Sequence, residues 1–162
     1  MIVETFTWQD ETATAAFADR LAAHWLAQPQ AADLLIFLHG DLGAGKTTLV
    51  RHVLRKLGVV GRIKSPTFAI VEPYRAAGIA IWHCDFYRFD DPREWEDSGL
   101  RDLFASPGLK LVEWPEKAGG LLPRPDWDVY LRHAGDADAA RQVRIEAHSA
   151  QGEAVLRRMM QP

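Results

Sequence analysis

The most specific chemistry in this chain sits in the run "HGDLGAGKTTLV". Gly40, Gly45, Lys46 and Thr47 satisfy the pattern G-x-x-x-x-G-K-[ST]. That spacing builds a loop that wraps phosphate. Gly40, Gly43 and Gly45 let the backbone curl without Cβ clashes. Successive N–H groups, from Gly43 through Ala44 and Gly45 to Lys46, then form an anion nest. A helix opening at the loop's end presents its positive terminus to the same anion. Lys46 can reach the β- and γ-phosphates, and the Thr47 hydroxyl can ligate Mg²⁺. Thr48 offers a second hydroxyl for an α-phosphate oxygen; its plainer reading is an ordinary helix residue.

Holding phosphate is not cleaving it. Cleavage needs a carboxylate for Mg²⁺ and a group that positions the attacking water. In open α/β sheets such groups sit at the carboxyl ends of neighbouring strands. Asp85 after "IAIWHC" and Glu113 after "LKLV" fit that description. Either can hold Mg²⁺, directly or through water, while the other orients the water; the bland alternative for each is a cap or a surface ion pair. Glu72 also follows a strand-like run, but Pro73 comes next and makes it the weaker candidate. With Lys46, Asp85 and Glu113 form the expected catalytic set. Trp114 can cover or stack against a nucleotide, although large aromatics are more often core. Ser65 and Thr67 in "SPT" can sense a γ-phosphate as switch segments do, or simply make a turn. Arg88 can neutralise transition-state charge or be a surface arginine. His83 and Cys84 do not read as a metal pair, because adjacent strand residues face opposite sides and no C-x-x-C or H-x-x-x-H completes a site.

These residues need elements to position them. "VETFTW" alternates in part and reads as an opening strand. Asp10 caps a helix whose stripe Phe17, Leu21 and Trp25 runs to about Gln28, where Pro29 ends it. "LLIFL", residues 34–38, reads as a buried parallel strand. "KTTLVRHVLRKLG" reads as a helix closed by Gly58. Strands are expected in "SPTFAIVEPY", "IAIWHC", "LKLVEW", "DVYLRH" and "ARQVRIEAHS". "DDPREWEDSGLRDLFAS" has helical spacing divided at Gly99, with Trp95, Leu100, Leu103 and Phe104 on its apolar side. "GGLLPRPDW" reads as a loop and "GEAVLRRMM" as a terminal helix. Strands mixed with flanking helices predict an α/β fold with a mostly parallel central sheet flanked by helices. The strand order is not readable from these patterns.

Composition bounds the function. The chain has 162 residues, 48% hydrophobic and 25% charged, the balance of one ordinary globular domain. A single domain over residues 1–162 is therefore expected. The net charge of -3 is the opposite of a strongly basic nucleic-acid footprint, so tight RNA binding by this chain alone is not expected. A single cysteine, Cys84, cannot form an internal disulfide. The N-terminal residues lack a secretory pattern and no apolar run approaches bilayer length; a cytoplasmic location without membrane contact is the expectation. A guanine-reading N-K-x-D is missing, and Asp85 is followed by Phe-Tyr-Arg rather than a D-x-x-G switch, so ATP is favoured over GTP. A P-loop small-molecule kinase and a non-catalytic nucleotide-binding adaptor are the alternatives to an ATPase.

Four blocks together, "GDLGAGKTT", "KSPTFAIVEPY", "HCDFYRF" and "LVEWPEKAGGLLP", resemble the TsaE (formerly YjeE) family in order and spacing. They cover most of residues 34–125; "QDETAT" is similar but less diagnostic. The resemblance implies a P-loop ATPase that binds ATP and Mg²⁺ in bacterial tRNA threonylcarbamoyladenosine synthesis. It implies association with the TsaB–TsaD pair, which modifies the adenosine beside the anticodon of ANN-reading tRNAs, with tRNA contacted through that complex. ATP hydrolysis, slow alone and stimulated by the partners, would support their repeated turnover. By the same resemblance, Thr47 and Glu113 are Mg²⁺ ligands and Asp85 is the other essential acid. Trp114 matches a nucleotide-contacting tryptophan. Glu11 and Arg141 match nucleotide-side contacts through less similar segments; the tail "HAGDADAARQV" departs from the family pattern.

Overall fold

The computed structural model describes residues 1–63, 66, 70–97, 99–135 and 138–162, with Asp97 described by its backbone alone. The chain opens with strand β1 (Ile2–Trp8) and helix α1 (Glu11–Ala27). Asp10 caps α1 as its spacing predicts, its side chain accepting from the Ala13 N–H at 3.1 Å. Cap oxygens of this kind satisfy N–H groups that have no partner within the helix. Pro29, which cannot continue α1, opens a 3₁₀ turn (Pro29–Ala32). Strand β2 (Leu35–His39) leads into the glycine-rich loop, and helix α2 (Lys46–Leu57) leaves it. Gly58 closes α2 in the left-handed region, φ 107°, where a Cβ would be strained.

Strands β3 (Val71–Ala76) and β4 (Ile79–Asp85) form a hairpin. The expected strand from residue 65 begins at Val71; Lys64, Ser65 and residues 67–69 lie outside the described residues. Helices α3 (Arg93–Asp97) and α4 (Leu100–Ala105) meet at Gly99, the expected division, where φ is 74°. Strand β5 (Leu109–Glu113) precedes a 3₁₀ segment (Pro115–Leu121) that occupies part of the expected loop. Strands β6 (Trp127–His133) and β7 (Arg141–Ala147) form a second hairpin, and helix α5 (Ala150–Met160) ends the fold.

Among the described residues the sheet order is β1-β7-β6-β2-β5-β4-β3. β2 runs parallel to both β5 and β6, and β4 runs parallel to β5. β1 opposes β7, which opposes β6, so β1 points the same way as these four. Only β3 and β7 run against that direction, which fits the mostly parallel sheet expected from sequence. Pro73 is tolerated because β3 is the sheet edge.

Alternation along the strands splits the core in two. Ile36, Leu38, Ile81, Leu111, Val129 and Ile145 face α1, α2 and α5, joined by Phe17, Leu21 and Trp25 from the α1 stripe. Leu35, Cys84 and Val112 face the opposite side, where Trp95, Leu100 and Phe104 cover them. His83 and Cys84 therefore point to opposite faces, as strand geometry predicts. The central position of β2, β5 and β4 puts their carboxyl ends beside one another, at the loop before α2.

Candidate functional site

The loop between β2 and α2 is built from backbone that most residues cannot adopt. Gly40 has φ 153°, and a Cβ there would stand 2.6 Å from the Leu131 carbonyl oxygen and 2.9 Å from the Ala44 Cβ. The loop thus turns against β6 with no room for a side chain. Gly45, φ 108°, occupies the cap position of α2 without a side-chain cap bond. The first N–H groups of α2 are therefore left to an outside acceptor.

A cavity of about 330 Å³ opens over this loop. Gly43, Gly45, Lys46, Thr47 and Thr48 line it from the loop and α2. Asp85, Glu113 and Trp114 line it from the ends of β4 and β5, and Arg141 from the start of β7. Leu42 and Tyr87 also line it, and neither was singled out from sequence. Eleven residues expected at a nucleotide site are thus placed around one cavity or, for Gly40 and Ala44, in the loop that shapes it.

Glu113 is the most buried acid of the site, 2% exposed. Register places it beside Leu38 of β2 and Asp85 of β4. The Thr47 hydroxyl donates toward both carboxylate oxygens at 3.0 Å. His83 Nε2 lies 2.5 Å from Glu113 Oε2, with the imidazole fully buried. Asp85 Oδ1 accepts from the Tyr87 N–H at 2.9 Å. One hydroxyl oxygen and one buried carboxylate held this close form a donor set suited to a hard cation such as Mg²⁺.

Lys46 is 5% exposed; its Nζ donates to the Gly40 carbonyl and lies 3.8 Å from the Trp114 ring centroid. Burial pushes its ammonium below the ordinary lysine value, while Glu113, Glu116, Asp85 and Asp41 pull it back up. Trp114 itself sits in the left-handed region, φ 55° and ψ 48°. That conformation is uncommon for a large residue; here it turns the chain sharply at the end of β5. The Trp114 ring packs against Tyr87 at 5.0 Å.

Arg141, besides lining the cavity, braces the loop. Its Nε donates to the Ala44 carbonyl at 2.8 Å and its Nη2 to the Gly43 carbonyl at 3.2 Å. Glu11 does not line the cavity; it accepts from His52 at 2.9 Å and lies 3.6 Å from Arg51 on α2. Arg88 is exposed and does not line it either. The switch candidates Ser65 and Thr67 lie outside the described residues.

Sequence reasoning weighed His83 only as a partner for Cys84 and so missed its contact with Glu113. The available signal was the spacing to Asp85: residues two apart on a strand share a face. A second polar network also escaped the sequence. Asp128 accepts from His39 at 2.6 Å and lies 2.8 Å from His148 Nε2. Glu146, whose ligand atom lies within 4.8 Å of those of Asp128 and His148, is paired with Arg144 at 2.8 Å. This network ties the end of β2, just before Gly40, to β6 and the end of β7.

Comparison with known proteins bears on the family and the fold. The family model described as "Threonylcarbamoyl adenosine biosynthesis protein TsaE" matches residues 8–143. A Haemophilus influenzae protein named tRNA threonylcarbamoyladenosine biosynthesis protein TsaE is 42% identical over 123 residues, 76% of each chain. A Bacillus subtilis protein of the same name is 38% identical over 102 residues, 63% of each chain. The crystal structure of Bacillus subtilis YdiB superposes with a TM-score of 0.72 at 25% identity, covering 99% of this chain and 97% of that one. The phosphate loop, the strand order that brings two acids to it and these matches lead to one conclusion: the chain belongs to the TsaE family and has its P-loop NTPase fold.

Proposed function

We propose that this protein is a Mg²⁺-dependent ATPase that supports threonylcarbamoyladenosine modification of ANN-reading tRNAs. In this reading its hydrolysis of ATP drives turnover of the TsaB–TsaD pair, and tRNA is met through that complex. The observation that carries the proposal is the Thr47–Glu113 contact beneath the phosphate loop, with Asp85 in register beside Glu113.

Each residue then has a role that its position supports. The glycine loop and the α2 terminus receive the phosphates, and Lys46 exchanges its Gly40 carbonyl for a phosphate oxygen. Thr47 and Glu113 would hold Mg²⁺, which when bound would shield phosphate charge. Asp85, which lines the cavity beside Glu113, orients the attacking water. Trp114 and Tyr87 wall the cavity against solvent, Thr48 contacts the α-phosphate side, and Arg141 keeps the loop carbonyls turned outward.

The test is hydrolysis with and without partners. ATP turnover by the chain alone should be slow and should rise when TsaB and TsaD are added. Asp85→Ala should still bind ATP but hydrolyse it poorly. High activity unchanged by the partners would overturn the coupling, and normal hydrolysis by Asp85→Ala would overturn its water-orienting role. Phosphate appearing on a small acceptor rather than in solution would favour a kinase instead.

A further inference from the structure

One buried group at the site has no role in the mechanism above. His83 is 0% exposed, and among the described residues its Nδ1 has no hydrogen-bond partner. Among those residues its one polar contact is Nε2 to Glu113 Oε2 at 2.5 Å. A buried imidazole with a single partner loses hydration that an aliphatic side chain would never have needed. The chain thus keeps a polar ring in the core for one contact, and that contact is to the acid facing Thr47. An ionised carboxylate only accepts, so Nε2–H is the donor of this contact.

We infer that His83 is a positioning residue for Glu113, fixing the carboxylate so that it and the Thr47 hydroxyl present their oxygens to Mg²⁺ together. This rests on the reading of Glu113 as a Mg²⁺ ligand. The geometry favours it for three reasons. The Glu113 side chain has rotatable bonds that burial alone does not lock, and hydrogen bonds from two directions leave it one orientation. His83 comes from β4 and Thr47 from α2, so the carboxylate of β5 is gripped by elements on two sides. β4 also carries Asp85 two residues later on the same face, so one strand sets both acids relative to each other. Groups that orient metal ligands in this way affect metal affinity by about ten- to a hundredfold.

Equilibrium binding separates this role from packing. ATP affinity is measured by calorimetry in EDTA, and again across a Mg²⁺ titration, for the unaltered protein, His83→Asn, His83→Gln and Glu113→Gln. The Asn amide sits near the position of Nδ1 and stops short of Glu113, whereas Gln reaches the position of Nε2. His83→Asn should bind ATP normally in EDTA but need about ten- to a hundredfold more Mg²⁺ for half-saturation. His83→Gln should restore most of the Mg²⁺ response. If His83→Asn does not fold, His83→Leu takes its place with the same expectation. A native Mg²⁺ response in the Asn or Leu variant, an equal loss of metal-free ATP binding, or failure of Gln to rescue would each overturn the inference. If Glu113→Gln shifts the Mg²⁺ response and His83→Asn does not, only the role of His83 falls. If Glu113→Gln shifts nothing, the ligand reading falls with it.

Discussion

Lys46 is held inside the loop by two contacts. Its ammonium is occupied by the Gly40 carbonyl and the Trp114 face. A cation lying on an aromatic face this closely is attracted by the ring quadrupole. In the proposed function, phosphate draws the lysine away from both. Lys46→Ala should therefore weaken ATP binding by about ten- to a hundredfold, the value of a hydrogen bond to a charged group, as measured by calorimetry. Drawing Nζ off the ring should also change Trp114 emission on ATP addition, and Trp114→Phe should abolish that change; an unaltered titration in the Phe variant would assign the signal elsewhere. Cys84 behaves oppositely to a reactive residue. Burial pushes its thiol up to about 12 from an ordinary 9.0. The folded chain keeps the proton while the unfolded chain loses it above pH 9. The stabilisation is complete below that pH and disappears as pH rises toward 12. At neutral pH a thiol reagent should label Cys84 only after denaturation.

At the scale of elements, close approach of backbones is the dominant constraint. Gly40 places the phosphate loop against β6, and Gly108 places the start of β5 against β4. A Cβ at Gly108 would lie 2.6 Å from both the Ala80 carbonyl oxygen and the Trp82 ring, with φ at 136°. Gly108→Ala should lower unfolding stability by about 1–3 kcal/mol, from backbone strain and crowding. It should leave ATP affinity nearly intact, because Gly108 is at the far end of β5 from Glu113. Gly40→Ala carries the same kind of clash inside the cradle and should lose ATP affinity as well. Denaturant melts paired with calorimetry distinguish the two cases. Arg141 is an element-scale brace too: it joins the first residue of β7 to the carbonyls of Gly43 and Ala44.

For the whole molecule, net charge sets the expectation for tRNA. A net charge of -3 gives no broad attraction to polyphosphate backbones. The chain alone should therefore fail to shift tRNA in a gel at physiological salt, and a shift should require the TsaB–TsaD pair. A strong salt-dependent shift by the chain alone would place tRNA contact on this subunit. ATP with Mg²⁺ should raise the melting temperature by mass action, and Glu113→Gln should remove the part of that rise that depends on Mg²⁺.

The cradle, the caps and most element positions were legible in the sequence because they are local. A glycine spacing, an Asp before a helix or a four-residue apolar stripe acts within one or two turns of chain. Most residues lining the cavity were legible as candidates because they belong to the loop motif or follow an apolar run; Leu42 and Tyr87 were not, and Arg141 came only from the family resemblance. The tertiary structure decided which of them meet. Thr47 and Glu113 are far apart in sequence and touch only because β5 lies beside β2. His83 joins them because β4 lies beside β5. Strand order is set by non-local packing of two apolar faces against helices, which no short pattern encodes. The sequence by itself offered a phosphate-loop motif and a short list of candidate acids. Only the fold determined that Glu113 is buried between Thr47 and His83, because burial and pairing belong to neighbours in space.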